Sequence, residues 1–267
     1  MKWQAATRKS FQKREAEDAY VVNERAGVFG VFDGVTPMDD YQDAYGHNGA
    51  FIASNLFREH FARLSAPCDA TEALVQANQR LRERMLRSPI DMTQRHLLWS
   101  TCAVVVVVHD GKASYAHVGD CMIIALDKEG HTTVLTKDYV DGVSARAEAK
   151  RALDRKQGVF VPEEDYFREP VHQQAYQRWM ANTPEGYSVA NGMEEMGAYI
   201  QTGIVDTTQL QALLLISDGM VYPGGRHENV IHAIREIGIE TYMLEMEDWE
   251  RNNRVRPDDK TAILLQF

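Results

Sequence analysis

Acidic residues recur in this chain at the points where an apolar, β-type run of residues ends or begins. The apolar runs are an early one at 19–23 and the runs VFGVF, AHVG, LLLIS and TAILL. The acidic residues that border them are Glu17, Asp18, Asp33, Asp120, Asp218, Asp258 and Asp259. The ends of strands bring residues that are distant in sequence to one rim of a sheet. We therefore expect several of these carboxylates to converge.

Converging carboxylates predict a metal site. They repel one another and have raised pKa values unless a cation neutralises them. Oxygen ligands without a Cys or His cluster suit Mg²⁺ and Mn²⁺ better than zinc or copper. Asp-Gly and Asp-Asp are also frequent in turns, so each motif alone favours a turn. The repetition of Asp-Gly after two strongly apolar runs favours the metal.

The three cysteines do not supply an alternative chemistry. Cys68, Cys102 and Cys121 are odd in number and have no CxxC spacing, which argues against a disulfide framework and against structural zinc. None begins a loop of Cys, five residues and Arg. We interpret Cys121 as a small buried residue at the start of a strand.

The elements that must position the acids follow from apolar periodicity. Strands are predicted at 18–23, 27–32, 101–109, 112–118, 122–127, 132–136, 199–205, 210–216 and 261–267. Helices are predicted at 49–64, from 69–71 to a stop at 88–89, and at 144–156, 228–237 and 239–250. The turns at 110–111 and 128–130 predict an antiparallel meander over 101–136. The valine run inside it predicts a strand covered on both faces.

Composition and charge narrow the class of protein. The chain has 267 residues, of which 44% are hydrophobic, and no linker-like or repeated segment divides it. With 29 Lys and Arg against 39 Asp and Glu, the net charge of −10 disfavours binding to nucleic acid or to an anionic membrane. No secretory signal and no membrane-spanning run is found, so we expect a cytoplasmic protein.

Five segments in order carry a resemblance to a known family. They are EAEDAY at 15–20, VFDG at 31–34, GDCMIIAL at 119–126, SDGM at 217–220 and DDKTAILL at 258–265. With them the chain resembles a divergent member of the metal-dependent Ser/Thr protein phosphatases of type 2C, the PPM family. The resemblance implies an α+β fold in which two antiparallel β-sheets pack as a sandwich flanked by helices, in four layers αββα. It also implies one domain over 1–267, with a flap-like insertion around 140–197 that lacks the usual flap motifs.

The resemblance implies hydrolysis of phosphoserine and phosphothreonine in proteins by direct attack of a hydroxide that bridges two Mg²⁺ or Mn²⁺ ions. The ligands it assigns are Glu17, Asp33, Gly34, Asp120, Asp218 and Asp258. Asp33 would bridge the two ions, Asp218 and Asp258 would complete one site, and Glu17 with the Gly34 carbonyl would complete the other. Asp120 matches the position of a third, weaker metal, and Asp18 would orient metal-bound water.

The chain departs from the family pattern at three places, which concern the substrate phosphate, the leaving group and the residue next to Asp258. An Arg often stands four residues before the metal-binding Glu to hold phosphate, and here that place is Lys13, with Arg14 beside it. We favour Arg14, because only Arg offers a bidentate fork. A His often follows Asp-Gly, whereas this chain has Val35, which leaves His47 as a weak candidate proton donor. Asp259 stands where relatives often have Asn.

Two alternatives to a protein phosphatase remain open. The same fold can serve a phosphatase for a small phosphorylated metabolite, because a metal centre does not define the leaving group. The second alternative is a non-catalytic regulatory module that retains the fold. The intact acidic set argues against the second, since clustered carboxylates without a cation are costly.

Overall fold

Two five-stranded antiparallel sheets form the centre of the protein, as described by a computed structural model of residues 1–267. Sheet 1 has the strand order β1-β10-β9-β6-β7, and sheet 2 has the order β2-β3-β4-β5-β8. The strands are β1 (Lys2–Arg8), β2 (Ala19–Asn23), β3 (Val28–Val35), β4 (Ser100–His109), β5 (Lys112–Val118), β6 (Met122–Asp127), β7 (Thr132–Val134), β8 (Gln201–Asp206), β9 (Leu210–Ile216) and β10 (Lys260–Gln266).

Six helices accompany the sheets: α1 (Gly49–Ala62), α2 (Ala70–Leu86), α3 (Val143–Lys156), α4 (Pro170–Trp179), α5 (His227–Ile237) and α6 (Ile239–Asn253). Helices α1 and α2 pack on the outer face of sheet 2, and α5 and α6 pack on the outer face of sheet 1. Helices α3 and α4 belong to the segment 140–197, which connects β7 to β8 and which we call the insertion.

Alternation of side chains along the strands builds the four layers. In β4, Cys102, Val104 and Val106 face the space between the sheets, while alternate residues face α1 and α2. In β10, Ile263 and Leu265 face the space between the sheets, while Ala262 and Leu264 face α5 and α6. Because successive side chains of a strand point to opposite faces, strands covered on both sides are apolar throughout. The predicted αββα sandwich and the doubly covered valine strand are confirmed.

The predicted meander over 101–136 is wrong at its middle connection. Strand β5 pairs with β4 and β8 in sheet 2, whereas β6 pairs with β7 and β9 in sheet 1. The chain therefore passes from one sheet to the other at Gly119–Cys121, so the segment consists of two hairpins in different sheets. Gly119 has φ +91°, and a Cβ added there would lie 2.3 Å from Cys102 Sγ. This crossing requires glycine.

Two elements are absent from the sequence prediction. Strand β1 lies at the edge of sheet 1, pairs only with β10 and has no fully buried residue, so it lacks an apolar pattern. Helix α4 is mostly polar and its only buried residue is Arg178. Its one sequence signal is Pro170 in the first turn. None of the six helices is both long and apolar enough to cross a membrane.

Candidate metal centre

The acidic segments meet at one end of the sandwich. Neighbouring strands bring them together: β9 lies beside β10, with Ile216 opposite Ala262, and β2 lies beside β3, with Ala19 opposite Phe32. Asp218 follows β9, Asp258 precedes β10, and Asp120 lies in the crossing between the sheets. Asp33, Asp120, Asp218 and Asp258 border a cleft of about 260 Å³. The lining of the cleft comprises Lys13, Asp33, Gly34, Val35, Thr36, Cys102, Asp120, Gln174, Arg178, Asp218, Arg256 and Asp258.

The carboxylates of the cleft raise one another's pKa. Burial, followed by the charges of Asp18 and Asp218, raises the pKa of Asp33 well above its ordinary value. Burial and then the charge of Asp218 raise the pKa of Asp120 to about 8. The pKa of Asp218 is raised by burial and by Asp258. Such shifts follow when like charges are crowded in a poorly solvated space.

Glu17 lies beside the cleft and both of its carboxylate oxygens are held. The Thr36 hydroxyl donates to Oε2 at 2.7 Å, and the Asn48 side-chain amide donates to Oε1 at 2.6 Å. Gly34 lies directly against this residue, because a Cβ at position 34 would be 2.6 Å from the Glu17 carbonyl oxygen. Only glycine permits the two backbones to approach this closely.

Asp18 and Asp259 are buried behind the cleft. Burial and the charge of Asp259 raise the pKa of Asp18 to about 7, although hydrogen bonds to Thr261 and Ser217 oppose the shift. Asp259 accepts hydrogen bonds from the backbone N–H groups of Ser10 (2.7 Å) and Glu17 (2.6 Å). A carboxylate at position 259 therefore fastens the N-terminal segment to the start of β10, and this explains why an acid suits the place where relatives often have Asn.

The structure brings Lys13, and not Arg14, to the cleft. Lys13 Nζ lies 2.7 Å from Asp258 Oδ1, 2.9 Å from Glu17 Oε2 and 3.3 Å from Asp259 Oδ2. The guanidinium of Arg14 instead faces the loop at Gly46, where an added Cβ would lie 3.1 Å from it.

His47 likewise is not a lining residue of the cleft. Its Nδ1 lies 2.5 Å from Glu15 Oε2, and its ring stacks on Phe51 with 3.9 Å between the ring centroids. His47 therefore helps to fix the start of α1.

Three polar residues of the cleft escape sequence analysis. Gln174 and Arg178 project from α4, and Arg256 precedes β10. Arg178 is 7% exposed, and its guanidinium donates to the carbonyl oxygens of Thr36 and His96. Gln174 and Arg178 are four residues apart and therefore lie on one face of α4. This spacing indicates a shared site only when the helix itself is already known.

The donor set fits a hard divalent cation. The carboxylates at the floor offer oxygen ligands, and buried oxygens of Asp18 and Asp120 have no hydrogen-bond partner. One carboxylate oxygen each of Asp33 and Asp120 and the Cys121 sulfur lie within 4.8 Å of one another. The Lys13 ammonium is the only cationic group that lies within salt-bridge distance of these acids, namely of Glu17, Asp258 and Asp259. Crowded, partly unpaired carboxylates of this kind are what Mg²⁺ or Mn²⁺ stabilises.

Comparison with known proteins points to one family. The family model described as protein phosphatase 2C matches residues 12–231 of this chain. That span includes Glu17, Asp33, Asp120 and Asp218. No curated protein sequence matches the chain.

Solved structures share the fold at low sequence identity. Serine/threonine phosphatase Stp1 from Staphylococcus aureus is 16% identical with a TM-score of 0.62, over 99% of this chain and 94% of that chain. PppA of Pseudomonas aeruginosa, described as a key regulatory component of T6SS, is 17% identical with a TM-score of 0.62, over 100% and 97%. The catalytic domain of phosphatase PstP in complex with two manganese ions is 18% identical with a TM-score of 0.60, over 98% and 96%.

Proposed function

The chain belongs to the protein phosphatase 2C family, and from that premise we propose that it is a Mg²⁺- or Mn²⁺-dependent phosphatase acting on phosphoserine and phosphothreonine in proteins. The observation that carries the proposal is the convergence of carboxylates from four distant segments on one cleft, with Glu17 and Asp18 of a fifth segment next to it and with oxygens left unpaired. A protein without a cation there would keep this repulsion for no benefit.

The ligands that we propose form two sites and a weaker third. Asp33 would serve both principal sites, Asp218 and Asp258 would complete one, and Glu17 with the Gly34 carbonyl would complete the other, while Asp120 would hold the third ion. The structure of the PstP catalytic domain is in complex with two manganese ions, which supports the two principal sites. When bound, such ions neutralise the carboxylates and act as Lewis acids that make water more acidic and polarise a phosphoryl oxygen.

The chain's own residues would bind and orient the substrate. Lys13, Arg178 and Arg256 bring positive charge to the walls of a cleft with an acidic floor, an arrangement that suits a dianionic phosphate ester. We propose Lys13 as the principal phosphate-binding residue in place of Arg14. Asp18, whose Oδ2 is buried without a partner, is suited to orient a water molecule.

The thiols near the cleft do not suit a covalent mechanism. Burial raises the pKa of Cys102 and of Cys121 well above the ordinary value, with neighbouring carboxylates adding to the shift. A thiol held in its protonated form is a poor nucleophile. Direct attack by water, without a phosphorylated enzyme, is therefore the reaction we propose.

The test is metal-dependent hydrolysis of p-nitrophenyl phosphate and of a phosphothreonine peptide by the wild type and by Asp33→Asn. We expect activity that requires added Mn²⁺ and falls by at least about a hundredfold in the variant, since the bridging charge is lost. Equal activity in the presence of chelator would refute the metal mechanism. Turnover of a phosphorylated metabolite panel without turnover of any phosphopeptide would refute the substrate class.

A further inference from the structure

A side chamber opens from the cleft beneath the insertion. It has a volume of about 180 Å³. Val140 lines it from the turn before α3, Val143 from the first residue of α3, Gln177 from α4 and Tyr187 from the loop after α4. At its mouth it shares Val35 and Asp120, among other residues, with the cleft. The side chamber is therefore continuous with the space where the substrate phosphate would lie.

The surface of the side chamber is more apolar than polar. Three valines, Cys102 and the ring of Tyr187 supply the apolar part, and Asp120, Gln174, Gln177 and Arg178 supply the polar part. The Gln177 amide already donates to the Ser144 hydroxyl at 2.9 Å, and the Arg178 guanidinium at the mouth already donates to Thr36 and His96. An anionic group placed inside would lose its hydration and would lie near the Asp120 carboxylate, whose Oδ1 has no hydrogen-bond partner, which is costly. An uncharged apolar group would not incur this cost.

The volume limits the size of the occupant. An apolar cavity of about 150 Å³ is large enough for one benzene ring. The side chamber therefore accommodates one aliphatic side chain such as leucine, valine or methionine, and is too small for a peptide segment. Since its mouth shares walls with the cleft, this side chain must belong to a residue close to the phosphorylated one.

We propose that the side chamber is a specificity subsite that binds one aliphatic side chain adjacent to the phosphoserine or phosphothreonine of the substrate. The inference rests on the proposed function and adds to it a sequence preference. That preference is supplied by the insertion, which contributes α3 and α4 to the walls.

The test compares phosphothreonine peptides that differ only in one residue flanking the phosphothreonine, which is Leu, Ala or Asp, on either side in turn. At saturating Mn²⁺ we expect kcat/KM for the Leu peptide to exceed that for Ala by about tenfold on one side, as for other apolar pockets. The Asp peptide should be poorer than the Ala peptide. Equal values for Leu and Ala on both sides, with all peptides hydrolysed, would overturn the subsite and leave the proposed function intact.

Variants of the chamber wall provide the second arm. Val143→Trp fills the chamber and should reduce the Leu-to-Ala ratio to within about twofold, whereas Val143→Ala enlarges it and should shift the preference towards Phe. Leu153→Trp is the matched control, because Leu153 lies on the same helix but is 52% exposed and outside the chamber. A Leu preference that survives Val143→Trp in a folded, Mn²⁺-binding protein would overturn the proposal. If no phosphopeptide is hydrolysed by the wild type, the proposed function fails and the subsite fails with it.

Discussion

At the residue scale, Lys13 and Arg14 are neighbours in the chain whose side chains lie in different surroundings. Lys13 is surrounded by Glu17, Asp258 and Asp259. The coulombic attraction and hydrogen bonding of these acids outweigh the opposing desolvation, so the pKa of Lys13 is raised and the ammonium stays charged. Arg14 has no carboxylate partner within salt-bridge distance. Lys13 is therefore positioned both to offset the acids and to meet a phosphate.

We predict that Lys13→Met lowers kcat/KM for a phosphopeptide by about tenfold or more, mainly through a higher KM. A hydrogen bond to a charged group contributes about 1.5–3 kcal/mol, which is the physical reason for the size of the effect. Arg14→Met is the matched control and should remain within about twofold of the wild type. Steady-state kinetics at saturating Mn²⁺ measure both. A larger loss of kcat/KM in Arg14→Met than in Lys13→Met would show that Arg14, and not Lys13, is the principal phosphate-binding residue.

At the element scale, the start of α1 connects helix formation to the metal centre. Asn48 is the N-cap of α1, where its side-chain oxygen accepts from the Phe51 N–H at 2.9 Å. Its side-chain nitrogen donates to Glu17. The side-chain amide of Asn48 therefore caps the N-terminus of α1 and orients Glu17, a candidate metal ligand. Residues that hydrogen-bond to metal ligands commonly tune metal affinity.

We predict that Asn48→Ser weakens Mn²⁺ binding by about tenfold and lowers the free energy of unfolding of the metal-free protein by about 1–3 kcal/mol, because the buried Glu17 carboxylate loses a hydrogen-bond donor. Serine is as good an N-cap as asparagine, but it lacks the donor to Glu17. Isothermal titration calorimetry gives the Kd, and thermal melting gives the stability.

The control for this prediction is the N-cap of α2. Asp69 accepts from the N–H groups of Thr71 and Glu72 and lies outside the cleft. Asp69→Ala should lower the free energy of unfolding by about 1 kcal/mol and leave the Kd for Mn²⁺ unchanged. An unchanged Kd in Asn48→Ser would show that Glu17 does not depend on this amide.

At the scale of the whole molecule, the fold concentrates negative charge where the two sheets end together. Sheet 1 supplies Asp218 and Asp258, sheet 2 supplies Asp33, and Asp120 lies at the crossing between them. The four-layer packing therefore fixes the site, and the stability of the metal-free fold becomes dependent on pH.

We predict that the metal-free protein loses stability as the pH rises from about 5 to about 8. The folded pKa values of Asp18 and Asp120 are about 7 and about 8, against 3.8 for an ordinary Asp. Between these values the folded state retains protons that the unfolded state has released, so raising the pH favours unfolding. Each kcal/mol lost lowers Tm by roughly 2–4 °C in a protein of this size.

Thermal melts in chelator across this pH range measure the effect, with Asp120→Asn as the comparison. The variant should show a shallower fall of Tm with pH, because one shifted carboxyl is absent. Added Mn²⁺ should raise the Tm of the wild type more at pH 8 than at pH 5.5. A Tm of the chelated wild type that is constant or rises with pH would contradict the predicted coupling of the carboxylates.

The sequence alone determined the features that depend on local order. Continuous apolar runs predict strands such as β4 and β10, because such a run needs burial on both faces wherever the strand lies. The recurring acids at strand ends predicted the candidate ligands, and the fold brings Asp33, Asp120, Asp218 and Asp258 to one cleft with Glu17 beside it.

Only the tertiary structure decided the features that depend on contacts between distant segments. The direction of Lys13 and Arg14 is set by packing, since adjacent residues in a loop have no fixed faces. The crossing from β5 to β6 resembles a hairpin in sequence, but pairing with β8 and β9 places the two strands in different sheets. Strand β1 and helix α4 carry too few buried apolar residues to produce a periodic signal. The position of Arg178 at the cleft and the side chamber itself result from the packing of α4, whose Arg178 donates to the distant carbonyl oxygens of Thr36 and His96, and no local pattern encodes that contact.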